Sequence, residues 1–276
     1  MMSMHKGIDI SNWQADLKDY SILKPAGIEF AILKISEYRA DKNFTQHYEG
    51  LKAQGIPVGA YIYSHASTAA AVKNEVDFAL SILGDRKLDL PLFLDCEASD
   101  MSASWKASIM PVALAFGEYV TAKGLKWGIY ANRSWWQNKL DSAAVKAAGG
   151  VVWCAAYNDQ SAGIDCDIWQ HSDSGKIDGY ANKLDMNIMY TDKLLTGTAD
   201  AFEAETTTST GYVLPTVKEG DRTPAAVFLE NALAIIGYDT TWNGLKECII
   251  DFQQKSGLSV DGICGKNTWA AILKRI

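Results

Sequence analysis

Two acidic side chains, Asp95 and Glu97, stand two residues apart at the end of the run Leu92-Phe93-Leu94-Asp95-Cys96-Glu97. In an extended strand alternate residues share a face, so Phe93, Asp95 and Glu97 point one way and Leu92, Leu94 and Cys96 the other. Their backbones are then about 6.5–7 Å apart. Two further acids end similar runs, Asp9 in Gly-Ile-Asp-Ile-Ser and Asp185 in Lys-Leu-Asp-Met-Asn. An acid within apolar sequence costs free energy unless it is paired, hydrogen-bonded or protonated. Crowding several together raises at least one pKa and yields a group that still holds its proton near neutral pH. Cleavage of a glycosidic bond needs such a group to protonate the departing oxygen, while other carboxylates support positive charge at the sugar carbon. A buried ion pair with Lys34, or a hard-cation site built from the four acids, are the alternative uses.

The aromatic residues favour the sugar. Nine Trp and twelve Tyr outnumber eight Phe, and both types join a flat apolar face to a polar edge, which suits amphipathic ligands. Tyr61 and Tyr63 share a face at the end of their run, and Tyr130, Trp153, Tyr157 and Trp169 lie at or near other run ends. These six are the expected substrate groove. His5, His47, His65 and His171 lack a metal-binding spacing, and His65 and His171 read as loop histidines after strand ends. No phosphate loop, dinucleotide fingerprint or Ser-His-Asp order stands out. Neither a cofactor nor a metal is expected.

The elements that must carry these residues alternate. Strands are expected at 7–10, 30–35, 58–63, 92–97 and 126–130, each followed by a helix-compatible stretch. The clearest helix runs from Thr68, a plausible N-cap, to Leu83 before Gly84; another spans 110–122 and ends near Gly124. This rhythm implies parallel strands joined by crossover helices. After a strand at 151–156 come two more, at 167–171 and 183–187, with too little chain between them for full helices. The predicted fold class is α/β, a modified TIM-like barrel of eight strands and about five helices over residues 1–195. Residues 196–213 are small and polar and read as a linker. Residues 214–276 regain apolar periodicity, as in Val227, Leu229, Leu233, Ile235 and Ile236, near the lower size limit for an independent domain.

The 276 residues carry a net charge of −7, with 48% hydrophobic and 21% charged residues. That is globular composition, and a basic nucleic-acid-binding surface is not expected. The five cysteines form no CxxC pair; three lie inside apolar strand-like runs and read as buried free thiols, and pairing of Cys248 with Cys264 stays open. The first residues lack an apolar core of signal-peptide length, and no run reaches the roughly 18 apolar residues of a membrane span. Synthesis in the cytoplasm without membrane insertion is expected, with exit supplied by another factor.

Several segments together resemble the glycoside hydrolase family 25 lysozymes of the Chalaropsis type. They are Lys-Gly-Ile-Asp-Ile-Ser-Asn-Trp-Gln, Gly-Ala-Tyr-Ile-Tyr, Leu-Asp-Cys-Glu, Trp-Gly-Ile-Tyr-Ala-Asn and the stretch from Ile168 to Asn187, in the family's order over residues 5–193. The resemblance implies a β/α barrel with five helices that cleaves the β-1,4 bond between N-acetylmuramic acid and N-acetylglucosamine in bacterial peptidoglycan. It implies Glu97 as proton donor and Asp95 as its helper, stabilising charge or the substrate's acetamido group. Asp9 and Asp185 would complete the acidic cluster, and Tyr61 would line the groove. Two departures stand out: Ile62 replaces a frequent His, and Cys96 lies between the acids. Alternation turns both away from them. The segment Phe252 to Trp269, with its Asp261-Gly262 turn and Thr268-Trp269, resembles peptidoglycan-binding domain 1, a three-helix module that would hold the enzyme on its polymer. The whole reads most like a phage endolysin released by a holin, with a secreted autolysin or a non-catalytic wall-binding protein as alternatives.

Overall fold

The computed structural model describes residues 4–103, 107–157, 160–195, 216–221, 226, 229, 230, 232, 233, 236–238, 244–273 and 275. The chain divides into two compact units, 1–205 and 206–276. The linker expected at 196–213, and Val227 and Ile235 of the later apolar pattern, lie outside the described residues.

The first unit is a closed barrel. Its strands are β1 (His5–Ile10), β2 (Phe30–Glu37), β3 (Arg39–Ala40), β4 (Val58–Tyr63), β5 (Leu92–Asp95), β6 (Trp127–Asn132), β7 (Val151–Ala155), β8 (Ile168–Ile177) and β9 (Tyr180–Met189). Pairing runs β1-β9-β8-β7-β6-β5-β4-β2, and β1 pairs with β2 to close the ring; β3 only folds back on β2. The strands from β1 to β8 that form the wall are parallel, and β9 returns antiparallel between β8 and β1.

Among the described residues five helices flank this unit: α1 (Phe44–Ala53), α2 (Ala69–Leu83), α3 (Met110–Ala122), α4 (Arg133–Asn138) and α5 (Ser142–Ala147). Helix α2 begins where Thr68 caps it, its side chain accepting from the Ala71 N–H at 3.1 Å. It stops at Gly84, whose φ of 59° a residue with a Cβ adopts only at a cost.

The helix-compatible stretch expected after the first strand is absent. Ser11 caps one 3₁₀ turn at 12–14, reciprocally with Gln14, and Asp19 caps another at 20–22. Each cap starts a new turn before the last can lengthen. The upper half of the β8–β9 hairpin packs on this segment: Gly179 lies against Ile22, and Tyr180 and Asn182 donate hydrogen bonds to Asp16.

Strand parity separates two cores. Ile8, Ile10, Leu33, Ile35, Leu92, Leu94 and Cys96 face outward with helix residues such as Phe44, Val76 and Phe116. Phe30, Ile32, Phe93, Tyr130, Trp153, Ile168 and Met189 fill the interior. Glycines make room for the interior rings. A Cβ on Gly7 would lie 2.3 Å from the Phe30 ring, and one on Gly128 would lie 2.4 Å from Phe93.

In the second unit α6 (Leu245–Lys255) and α7 (Lys266–Leu273) are joined by the Asp261-Gly262 turn, and Ala226, Leu229, Glu230, Ala232 and Leu233 are also helical. Thr268 and Trp269 sit inside α7, both buried. All five cysteines are buried, and none is in a disulfide.

Candidate active site

The barrel's pairing register brings the four acids to one end. Asp95 is the last residue of β5, beside Tyr63 of β4 and Tyr130 of β6. Asp9 lies near the end of β1, directly opposite Asp185 of β9. Glu97 falls just beyond β5, outside the strand expected to contain it, and is exposed at the barrel mouth. These are the C-terminal ends of the parallel strands, where barrels of this type place their chemistry.

Asp95 is 4% exposed, and its buried Oδ1 has no hydrogen-bond partner. Burial first, then the nearby Glu97 charge, raise its pKa far above the ordinary carboxylate range, with Lys34 opposing and Asp9 adding. Glu97 is raised as well, because the surrounding wall strips part of its hydration and Asp9 repels its charge, again against Lys34. Lys34 itself is held 2.5 Å from Glu37 Oε2, with its ammonium 4.9 Å from the Tyr63 ring centroid.

Asp9 is also buried, yet its Oδ2 is well served. Gln170 Nε2 donates to it at 2.8 Å and Asn187 Nδ2 at 2.7 Å. Each amide is oriented from behind. The Asn187 Oδ1 accepts from Trp153 Nε1 at 2.8 Å, and the Gln170 Oε1 accepts from the Tyr130 and Tyr157 hydroxyls at 2.8 and 2.7 Å. Burial raises both Asp9 and Asp185, and the two carboxyls are hydrogen-bonded to each other.

The expected aromatic groove is brought together only in part. Trp153 is 2% exposed and packs edge-on against Phe93 and Tyr130, so it forms the floor. Tyr130 is buried beside it, Tyr61 and Tyr63 are half-buried at the mouth, and Tyr157 is exposed. Trp169 is a correction. It occupies the opposite parity of β8 and packs in the outer core, its Nε1 donating to the Ala156 carbonyl at 2.9 Å. The inward residue is Gln170. Gln170 and Asn187 were not singled out from sequence, although buried amides in apolar strands are the same signal that marks the acids.

His171 also lies off the cluster, tilted against the Trp169 ring. His65 sits at the rim, its Nδ1 2.9 Å from Asp100 Oδ1 and its Nε2 3.5 Å from Glu37 Oε1. Its loop is fixed by Glu75 of α2, which accepts from Ser64 Oγ at 2.6 Å and from the His65 N–H at 3.0 Å. Ile62 and Cys96 face the outer core, as alternation requires. Among the described residues no group of three or more His, Cys, Asp or Glu side chains is arranged to hold a metal ion.

Such a site can lend a proton from an exposed carboxyl, hold a second buried carboxyl ready for an incoming donor, and keep a third fixed as an anion. The chain is 27% identical over 280 residues to the autolytic lysozyme of Clostridium acetobutylicum, spanning 96% of this chain and 78% of that one. It is similar in structure to the catalytic domain of endolysin ply40 from bacteriophage P40 of Listeria monocytogenes (26% identity, TM-score 0.60, 71% of this chain and 96% of that one). The bacterial lysozyme of Streptomyces coelicolor is similar too (28% identity, TM-score 0.56, 67% and 91%). Residues 222–272 match the model of the putative peptidoglycan binding domain, and residues 8–180, well over half the chain, match that of the glycosyl hydrolases family 25. The chain belongs to glycosyl hydrolases family 25.

Proposed function

We propose that this protein is a peptidoglycan hydrolase, an N-acetylmuramidase that cuts the β-1,4 bond between N-acetylmuramic acid and N-acetylglucosamine. In this reading residues 1–195 are the catalytic domain and residues 214–276 hold the enzyme on the wall. The carrying observation is the pairing of exposed Glu97 with buried Asp95, whose Oδ1 lacks a partner. In the free enzyme Asp95 is the neutral member, because burial penalises its charge most. An amide N–H arriving at Oδ1, such as that of a sugar's acetamido group, stabilises the carboxylate form. The proton that leaves Asp95 passes to Glu97, whose pKa the new negative charge raises, so that Glu97 becomes the protonated member. Glu97 protonates the leaving oxygen, and Asp95 steadies the acetamido group or the positive charge developing at the sugar carbon. Asp9, anchored by two amides, supplies a fixed negative potential beneath, and Tyr61, Tyr63 and Tyr157 line the mouth.

The test is digestion of purified wall by the wild type and by Glu97→Gln. New reducing ends carrying muramic acid support the reading, and the variant is expected to lose roughly 10²–10⁴ in rate. New amino termini without new reducing ends would refute it, and full activity of Glu97→Gln would remove Glu97 from its role.

A further inference from the structure

Two aromatic residues outside the expected groove are almost bare: Trp13 is 84% exposed and Tyr38 is 76% exposed. Singly, exposed aromatics mean little. These two line one cavity of about 320 Å³, between the turn after β1 and the β2–β3 hairpin, at the small end of ligand-pocket volumes. Its walls are held in place. The Asn12 N–H donates to Asp41 Oδ2 at 2.9 Å and the Asn43 N–H to Asp41 Oδ1 at 2.9 Å, tying the two loops together.

Two chains of contacts link the cavity to the acidic centre. Tyr38 stacks on His65 with centroids 4.0 Å apart, and His65 lies 5.4 Å from Tyr63 at the barrel mouth. Lys34 lines the cavity and also bears electrostatically on Asp95 and Glu97. The charges around it are unequally committed. Asp41 is used by the loop N–H groups and Glu37 by Lys34 and His65. The side chains of Arg39 and Lys42 have no hydrogen-bond or ion-pair partner among the described residues.

We propose that the Trp13–Tyr38 cavity is a glycan subsite beyond the cleavage point, which takes a hexosamine bearing a carboxylate. The ring stacks on the aromatic faces, and the carboxylate, on the sugar's lactyl arm or on the peptide attached there, meets Arg39 and Lys42. An uncharged N-acetylglucosamine polymer would use the stack but leave the cations unused. The subsite therefore selects bacterial wall over chitin in a protein whose net charge of −7 would otherwise repel an anionic polymer. This inference rests on the muramidase reading above.

The test uses the full chain, with Trp13→Ala/Tyr38→Ala and Arg39→Gln/Lys42→Gln as double variants. Three substrates separate the sources of charge: glycan strands with their peptides, strands stripped by an amidase so that lactyl carboxylates are free, and stripped strands with those carboxylates amidated. The aromatic pair is expected to raise KM about tenfold on all three with kcat unchanged. The cation pair is expected to raise KM roughly threefold to tenfold on whichever strand carries the recognised carboxylate, to leave the amidated strand unaffected, and to lose its effect in high salt. A penalty on peptide-bearing strands assigns the carboxylate to the peptide, and one on stripped strands assigns it to the lactyl arm. KM values within twofold of wild type for both variants, or a cation penalty as large on amidated strands, would overturn the subsite. Wild-type cleavage abolished by Glu97→Gln in the same assays shows that the muramidase reading stands in either case.

Discussion

Asp9 and Asp185 face each other as directly opposed residues of the antiparallel β1–β9 pair, and their carboxyls are hydrogen-bonded to each other. One of them must carry the proton, and the surroundings decide which. Trp153 Nε1 is only a donor, so Asn187 must turn its oxygen to Trp153 and its NH₂ to Asp9. With the Gln170 amide beside it, Asp9 Oδ2 receives two N–H donors, which favour the anion. Asp185, raised by burial and then by the Asp9 charge, is the protonated partner.

This assigns a sign to the pH dependence of stability. A carboxyl whose folded pKa is raised contributes stability that is present below its unfolded pKa, about 4, and is lost as pH rises through the folded value. Asp185→Asn keeps an N–H donor towards Asp9 and has no charge to acquire. Its melting temperature relative to wild type is expected to increase steadily from pH 4 to pH 9. Thermal melts across that range check it; a difference independent of pH would show that Asp185 is not the neutral member.

The amides behind Asp9 are expected to matter for folding as much as for chemistry. Asn187→Ala leaves the buried Trp153 N–H without its acceptor and removes a donor from Asp9. An unsatisfied buried group costs about 1–3 kcal/mol, and urea denaturation should show a loss in that range. A loss well below it would mean that water fills the gap.

Gly128 is expected to tolerate no side chain. A Cβ there would meet the Phe93 ring at 2.4 Å and the Val151 carbonyl oxygen at 2.7 Å, and the latter is backbone that cannot swing aside. Gly128→Ala should cost about 1–3 kcal/mol by overpacking. Phe93 is two residues before Asp95 on the same face, so kcat on wall substrate should fall together with stability. Wild-type kcat in this variant would separate the interior packing from the acid's position.

The position of Asp95 was legible because it stands in an apolar strand whose alternation alone fixed its face. Trp169 was misread for an instructive reason. An aromatic packs equally well on either face of a strand, and its parity is set by pairing such as Gln170 with Asn187, which no single strand displays. The length of the β8–β9 hairpin was hidden similarly. Its register shifts between Gln170 and Ser172, Ser172 and Gly175, and Gly175 and Ile177, so the polar stretch 172–182 breaks the period that marks a strand. Likewise Trp13 and Tyr38 sit in short loops, where no period exists to show which way a side chain faces. The Phe252–Trp269 segment was legible as a motif, but the reason for its spacing is visible only in three dimensions.

That reason is Gln253. Its Nε2 lies within hydrogen-bonding distance of Asp261 Oδ1, the Ile263 carbonyl and Thr268 Oγ1, at 2.8, 3.0 and 3.0 Å. Its Oε1 accepts from the Asp261 and Gly262 N–H groups at 3.1 and 3.0 Å. A single buried amide thus joins α6, the turn and α7, and the turn itself needs Gly262 at a φ of 69°. Gln253→Ala strands two backbone N–H groups and unties the turn. A small unit has little stability in reserve, so this loss is expected to unfold it selectively. The barrel should still melt at its wild-type temperature and cleave short soluble glycans at the wild-type rate. Retention on purified wall in a sedimentation assay should fall several-fold. If Gln253→Ala unfolds the second unit, as limited proteolysis would report, and wall retention is nevertheless unchanged, then the barrel alone holds the enzyme on its substrate.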